Sequence, residues 1–146
     1  MISYFIKTGG TEVANFSDYI WRERGFATIL EKHLADKNLG NDLKLVLIKF
    51  LVDGEIITFS EIKKTISTFD ENNKEISIDI HVRKNQFWTE TELKRKSFII
   101  QSTIDAIKLI SKKLSSKKMN FNFEKLIEII DLSGREFLKL DSNKAA

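Results

Sequence analysis

The side chains that could carry out chemistry are few in this sequence and are scattered along it. His33 and His81 are far apart, and neither lies beside a second His or a Cys that could complete a metal site. There is no Cys, so disulfides, zinc–thiolate sites and cysteine nucleophiles are excluded. The GxSxG motif of serine hydrolases and the HExxH motif of zinc proteases are also missing. We therefore predict no catalytic residues, no metal ligands and no cofactor, and we predict that the protein is not an enzyme.

Three ionisable residues nevertheless deserve an interpretation. Asp79 and His81 alternate with isoleucines in a predicted strand, so they share its polar face, where a carboxylate–imidazole pair is geometrically allowed. An ordinary solvated strand face is the simpler interpretation of this pair. Glu23 falls inside the apolar stripe of a predicted helix, and we interpret it as a buried carboxylate paired with Arg or Lys, because buried charges are normally partnered.

Two tryptophans are the strongest candidates for protein binding. Trp21 lies opposite the apolar stripe of its predicted helix, close to arginines, and Trp88 precedes a later helix. Trp and Arg are favoured anchors of protein interfaces, although burial in the core is the alternative for either Trp. Together with the polar strand face, the candidate partner-binding residues are Trp21, Arg22, Arg24, Asp79, His81 and Trp88.

Positive charge is concentrated in residues 91–119, which carry eight bases and two acids in a chain of net charge +3. A basic helix on a slightly acidic body can bind an anionic partner, so a nucleic-acid-associated module that uses this helix is our alternative function. No helix-turn-helix spacing, RNP motif or zinc finger accompanies the bases, and a solvated helix face is their usual role. We therefore rank nucleic-acid binding below protein binding.

The hydrophobic pattern predicts one globular α+β domain over residues 1–140 and a flexible tail over residues 141–146. Residues 43–52 are apolar on both faces of a strand, which is typical of a central strand covered above and below. Asp53-Gly54 follows at once and predicts a hairpin. Short turns between consecutive strands predict an antiparallel sheet of about four strands with helices packed on it, in the order β-α-β-β-β-α-α. Residues 59–69 fit either a helix or a strand, and we predict a strand.

The remaining elements follow from periodicity and capping signals. Isoleucines alternate with polar residues over residues 75–82 and predict a half-buried strand near an edge of the sheet. Asn120 or Asn122 is expected to cap the last helix, and Ser133-Gly134 to end it. The predicted helices span residues 17–36, 90–115 and 123–132. If these helices cover only one face of the sheet, a partner or a second copy must cover the other apolar face.

The N-terminal sequence MISYFIKTGG lacks the basic and long apolar regions of a signal peptide. No apolar run reaches the roughly 20 residues that span a bilayer. We therefore expect a cytoplasmic protein with no membrane partner.

Four stretches carry a resemblance to a known group of proteins. They are NFSDYIWRERGFATILEKHL at residues 15–34, GNDLKLVLIKFLVDGE at 40–55, EISIDIHV at 75–82 and ELKRKSFII at 92–100. In the residue pattern of these stretches the chain resembles small bacterial immunity proteins, whose genes lie beside polymorphic or contact-dependent toxin genes. The resemblance implies a cognate toxin partner, encoded nearby, that the protein binds and neutralises by steric occlusion. A homodimer is the other association that we consider.

Overall fold

The computed structural model describes residues 2–8, 16–53, 63–83 and 92–139. For residues 3–8, 16–24, 51–53, 63–68, 81–83, 92 and 95 it describes the backbone only. The elements are β1 (Ile2–Thr8), α1 (Phe16–Leu34), β2 (Leu45–Asp53), β3 (Lys63–Asp70), β4 (Glu75–Arg83), α2 (Glu92–Lys113) and α3 (Phe123–Lys139). Their order along the chain is the predicted one, and the α+β class is confirmed. The predicted domain and tail boundaries stay predictions, since residues 140–146 lie outside the described residues.

The sheet is mixed, so the prediction of an antiparallel sheet is wrong. Its strand order is β1-β2-β4-β3, in which β1 and β4 both run parallel to β2 and only β3 runs antiparallel to its neighbour β4. The predicted hairpin at Asp53-Gly54 is wrong for the same reason. Both edges of β2 are occupied by parallel strands up to Val52, so a returning strand has no free edge of β2 to pair with. Helix α1 instead forms the crossover that a parallel β1–β2 pair needs.

Among the described strands, the antiparallel pair is β3 and β4, which a tight turn at residues 71–74 connects. The Asp70 carboxylate accepts hydrogen bonds from the backbone N–H groups of Asn72 and Asn73, both at 3.1 Å, and from the Asn73 side-chain amide at 2.7 Å. The prediction of a strand before this turn is confirmed for residues 63–69. Strand β4 is interior, between β2 and β3, so its predicted place near an edge is wrong.

The three helices in the described residues pack on one face of the sheet. That face is formed by alternate residues of β2 and β4, which are at most 1% exposed: Val46, Ile48, Phe50, Ile76, Ile78 and Ile80. They form one hydrophobic core with the inner faces of the helices, which include Phe26, Leu30, Ile99, Ile107, Ile110, Leu126, Ile130 and Phe137. The rings of Phe50 and Phe98 lie 6.0 Å apart and join β2 to α2. Burial of these apolar side chains makes the main contribution to the stability of the fold.

Helix α3 is longer than predicted, because Gly134 does not end it. Gly134 is buried in the middle of the helix against Ile100 of α2, and a Cβ at Gly134 would lie only 2.7 Å from Ile100 Cγ2. The glycine therefore permits a close approach of two helices rather than a turn. At the other end the predicted cap is confirmed for Asn122, whose side-chain oxygen accepts a hydrogen bond from the Lys125 backbone N–H at 3.0 Å.

Candidate partner-binding surface

The residues predicted to bind a partner fall into two groups in the fold. Trp21, Arg22 and Arg24 lie in the first half of α1, together with Glu23, and the structure describes only their backbone. Trp88 lies outside the described residues. The patch around the tryptophans and the ion pair of Glu23 therefore stay predictions.

The second group lies on β4. Asp79 and His81 are two residues apart on this strand, so the alternation of the strand puts both positions on the sheet face opposite the core isoleucines. The backbone of Asp79 pairs with Lys49 of β2 on one side and with Thr65 of β3 on the other. Because β4 is interior, the structure places both residues inside the sheet and not at its edge.

We call the sheet surface opposite the helices the helix-free face. Its described side chains on β2 and β4 are Glu75, which is exposed, and five that are half-buried: Leu45, Leu47, Lys49, Ser77 and Asp79. None of them is part of the core cluster. In the described part of the chain the helices therefore cover only one face of β2. The sequence predicts cover on both faces of this strand, and the described helices do not cover the second one. The surface combines apolar side chains of β2 with polar side chains of β4.

Asp79 is the unusual residue of this face. Its Oδ1 atom is buried and has no hydrogen-bond partner, although Lys49 occupies the directly opposite position on β2. An ionised carboxylate can only accept hydrogen bonds, and a buried acceptor left unpaired costs about 1–3 kcal/mol, or more when it is charged. Among the described residues, no side chain or backbone group donates a hydrogen bond to this oxygen.

A second polar cluster joins α1 to α3, and no local sequence pattern predicts it. Glu136 Oε1 accepts a hydrogen bond from Lys32 Nζ at 3.0 Å, and Glu136 Oε2 lies 2.8 Å from His33 Nε2. The hydrogen bond from Lys32 and then that from His33 hold the pKa of Glu136 below its ordinary value. The charges of Lys32 and Glu136 neutralise each other, and the contacts join α1 to α3. His33 is therefore already paired with a carboxylate. Beside it a cleft of about 340 Å³ includes Leu132, which is 54% exposed.

A cleft of about 650 Å³ lies where two loops cross. The Asn120 backbone N–H donates to Asp42 Oδ2 at 2.6 Å, and the Asn122 N–H donates to the Leu39 carbonyl at 2.7 Å. Gly40 has a φ of +114°, and a Cβ there would clash with the Asn120 carbonyl oxygen. The polar groups at this crossing hold the loops together, and we assign them a structural role.

The basic segment does not form one continuous solvated surface. Lys96 is only 5% exposed, and its ammonium group donates to the Phe137 carbonyl at 3.3 Å and lies 4.9 Å from the centroid of the Phe137 ring. Lys117 forms an ion pair with Glu71. The interpretation of residues 91–119 as a solvated helix face is therefore wrong for Lys96. Nothing in the described geometry favours nucleic-acid binding.

Within the described residues there is no group of three His, Asp or Glu side chains that could hold a metal ion, and no helix long and apolar enough to cross a membrane. In a comparison with protein families, the family model described as Immunity protein 44 matches residues 2–136. Comparisons with curated proteins and with solved structures gave no match. The family match spans every described element from β1 into the last turn of α3.

Proposed function

The chain belongs to the Immunity protein 44 family, and from this premise we propose that it binds a cognate bacterial toxin domain and neutralises it. The observation that carries the proposal is the family match over residues 2–136. The resemblance to immunity proteins in the sequence is thereby confirmed at the level of the family. The toxin, the binding and the mechanism are what we propose.

The mechanism that we propose is steric occlusion without catalysis. A protein that works in this way needs a rigid surface of the right shape and needs no reacting groups. The described fold supports this mechanism, because the apolar residues of its sheet and helices form one well-packed core. The described polar clusters, at Glu136 and at Asp42, are occupied by internal hydrogen bonds and ion pairs.

Two surfaces are proposed for the contact. The first is the patch of Trp21, Arg22, Arg24 and Trp88, which rests on the preference of interfaces for aromatic and Arg anchors. The second is the helix-free face with Asp79 and His81, which the geometry supports through the half-buried side chains of Leu45 and Leu47. We propose the helix-free face as the main contact surface.

The experiment that tests the function uses the toxin-type coding sequence adjacent to the gene. Its toxin domain is expressed from an inducible promoter in a bacterial host, with and without this protein. We expect growth arrest with the toxin alone, restored growth with both, and co-purification of the two proteins through a tag on either one. An unrelated small α+β protein expressed at the same level is the control. Continued growth arrest together with no co-purification would refute the proposal.

A further inference from the structure

We infer that two copies of this chain associate through the cleft between α1 and α3, with Leu132 of each copy buried against the cleft of the other. The inference goes beyond the proposed function and does not depend on it, because it concerns this chain alone. It begins from a large apolar side chain that the fold leaves exposed to solvent, Leu132.

Leu132 differs from the other apolar side chains of the described fold. It is 54% exposed, whereas Leu126, Ile129 and Phe137 of the same helix are at most 5% exposed. In the described part of the chain Leu93, at 63%, is the other large apolar side chain that is exposed, and it lines neither of the two clefts described above. Leu132 lines the cleft of about 340 Å³ between α1 and α3, together with Ile129. An exposed apolar side chain beside a small cleft is suited to anchor an interface.

The charged side chains around this cleft are already paired within the chain. Each charged side chain that lines it makes an ion pair, and three lysines are matched by three carboxylates, so the surface has no net charge when His33 is counted as neutral. The pairs are Lys32–Glu136, His33–Glu136, Lys37–Asp36 and Lys125–Glu128, at 3.0, 2.8, 3.2 and 3.5 Å. A charged group from a partner would find no unpaired opposite charge here and would lose its own hydration, so the cleft favours an apolar group.

The same balance of charge favours a second copy as the occupant. The whole chain carries a net charge of +3, so two copies repel each other on average, but this surface is neutral and lets them approach. A two-fold contact uses the same patch on both copies, so the patch must contain both an apolar projection and a cleft that receives it. Leu132 and the cleft provide both on one surface. The cleft belongs to the helices, so the contact is separate from the helix-free face that we propose for the toxin.

The size of the cleft sets the expected strength of the association. A contact centred on one small cleft buries a limited area, so we expect a reversible dimer rather than an obligate one. Light scattering on the purified full chain should give an average mass that rises with concentration toward twice that of one chain. A change from about 0.1 M to about 1 M NaCl shortens the screening length from about 10 Å to about 3 Å. The dimer should be unchanged or tighter at high salt, because salt screens the repulsion between the chains and the contact is apolar.

The variant Leu132→Lys tests which surface is used. Because Leu132 is exposed, the midpoint of urea unfolding of the monomer should not change appreciably. A two-fold contact contains the substituted residue twice, so we expect the Kd of the dimer to rise about 10-fold or more. Leu93→Lys is the matched control, since it adds the same charge at a similarly exposed leucine outside the cleft. It should change the Kd less than about twofold.

Four results would overturn the inference. The first is the mass of a single chain at every concentration up to about 1 mM. The second is a dimer that Leu132→Lys leaves intact, which places the contact elsewhere. The third is a dimer that both lysine variants weaken equally, which assigns the effect to net charge. The fourth is a dimer that high salt dissociates, which indicates an ionic contact. None of these results bears on toxin binding, which the growth and co-purification experiment tests separately.

Discussion

Replacement of Gly134 by Ala tests how α3 packs on α2. In an exposed helix the change would stabilise the protein by about 1 kcal/mol, because Ala is the better helix former. At this position the new Cβ would lie 2.7, 3.1 and 3.2 Å from three carbon atoms of the Ile100 side chain. Ile100 is only 8% exposed and is branched at Cβ, so it has little freedom to move away. The overpacking should cost about 1–3 kcal/mol. We therefore expect Gly134→Ala to lower the free energy of unfolding by about 1 kcal/mol on balance.

The matched control is Gly25→Ala in α1. A Cβ at Gly25 would lie 3.6 Å from Phe137 Cε1, which is an ordinary contact distance. Only the gain in helix propensity remains there, so this variant should be stabilised by about 0.5–1 kcal/mol. Urea unfolding followed by circular dichroism measures both variants, and the comparison is valid if the slope m is unchanged.

A double-mutant cycle with Ile100→Ala assigns the cause of the effect. Truncation of Ile100 is itself destabilising, but it removes the three clashing carbon atoms, so Gly134→Ala should be neutral or stabilising in that background. If Gly134→Ala stabilises the wild-type protein as much as Gly25→Ala does, the two helices are not in close contact here and our account of α3 is wrong.

Three further predictions concern the helix ends and their charges. Asn122→Ala should destabilise the protein by about 1 kcal/mol in urea unfolding, since the cap to the Lys125 N–H is lost, and Asn122→Asp should restore most of this stability. Lys96→Ala should destabilise it more than Lys96→Met does, because Met keeps the apolar stem of a buried side chain while both lose the bond to the Phe137 carbonyl. Equal losses of stability in the two variants would contradict a packing role for the Lys96 stem. Glu136 has a lowered pKa, so it stabilises the fold above its ordinary value of 4.5 and this contribution is lost as the pH falls through the lowered value. The stability of Glu136→Gln should therefore fall less than that of wild type over this acid range, and identical profiles would refute the assignment.

The kinds of secondary structure could be predicted from the sequence because their signals are local. Alternation over residues 75–82 and helical spacing over residues 92–113 are properties of neighbouring residues, and both elements lie where the pattern predicts them. Strand pairing could not be predicted with the same success. The local hairpin signal at Asp53-Gly54 favours an antiparallel neighbour for β2. In the structure β2 instead lies between β1 and β4, which buries the whole strand. The order β-α-β at the start of the chain was the signal for a parallel pair.

The details of the site depend on contacts between distant residues. The sequence places Asp79 on the polar face of a strand, and the structure agrees. That its Oδ1 is buried depends on neighbouring strands that sequence order does not specify. Glu136 meets Lys32 and His33 across more than a hundred residues, and no local pattern marks that contact. In the sequence, Gly134 resembles the end of a helix. The structure shows that a glycine is needed there because Ile100, on another helix, packs closely against it.

The most direct measurement uses the toxin domain that we propose to be encoded beside this gene. The purified toxin domain is titrated with this protein, and both the heat of binding and the activity of the toxin are followed. We predict saturable one-to-one binding with a sub-micromolar Kd, and loss of toxin activity as the molar ratio reaches one. Toxin that stays fully active in a molar excess of this protein, with no heat of binding, would contradict the proposal that the chain neutralises its toxin by occupying it.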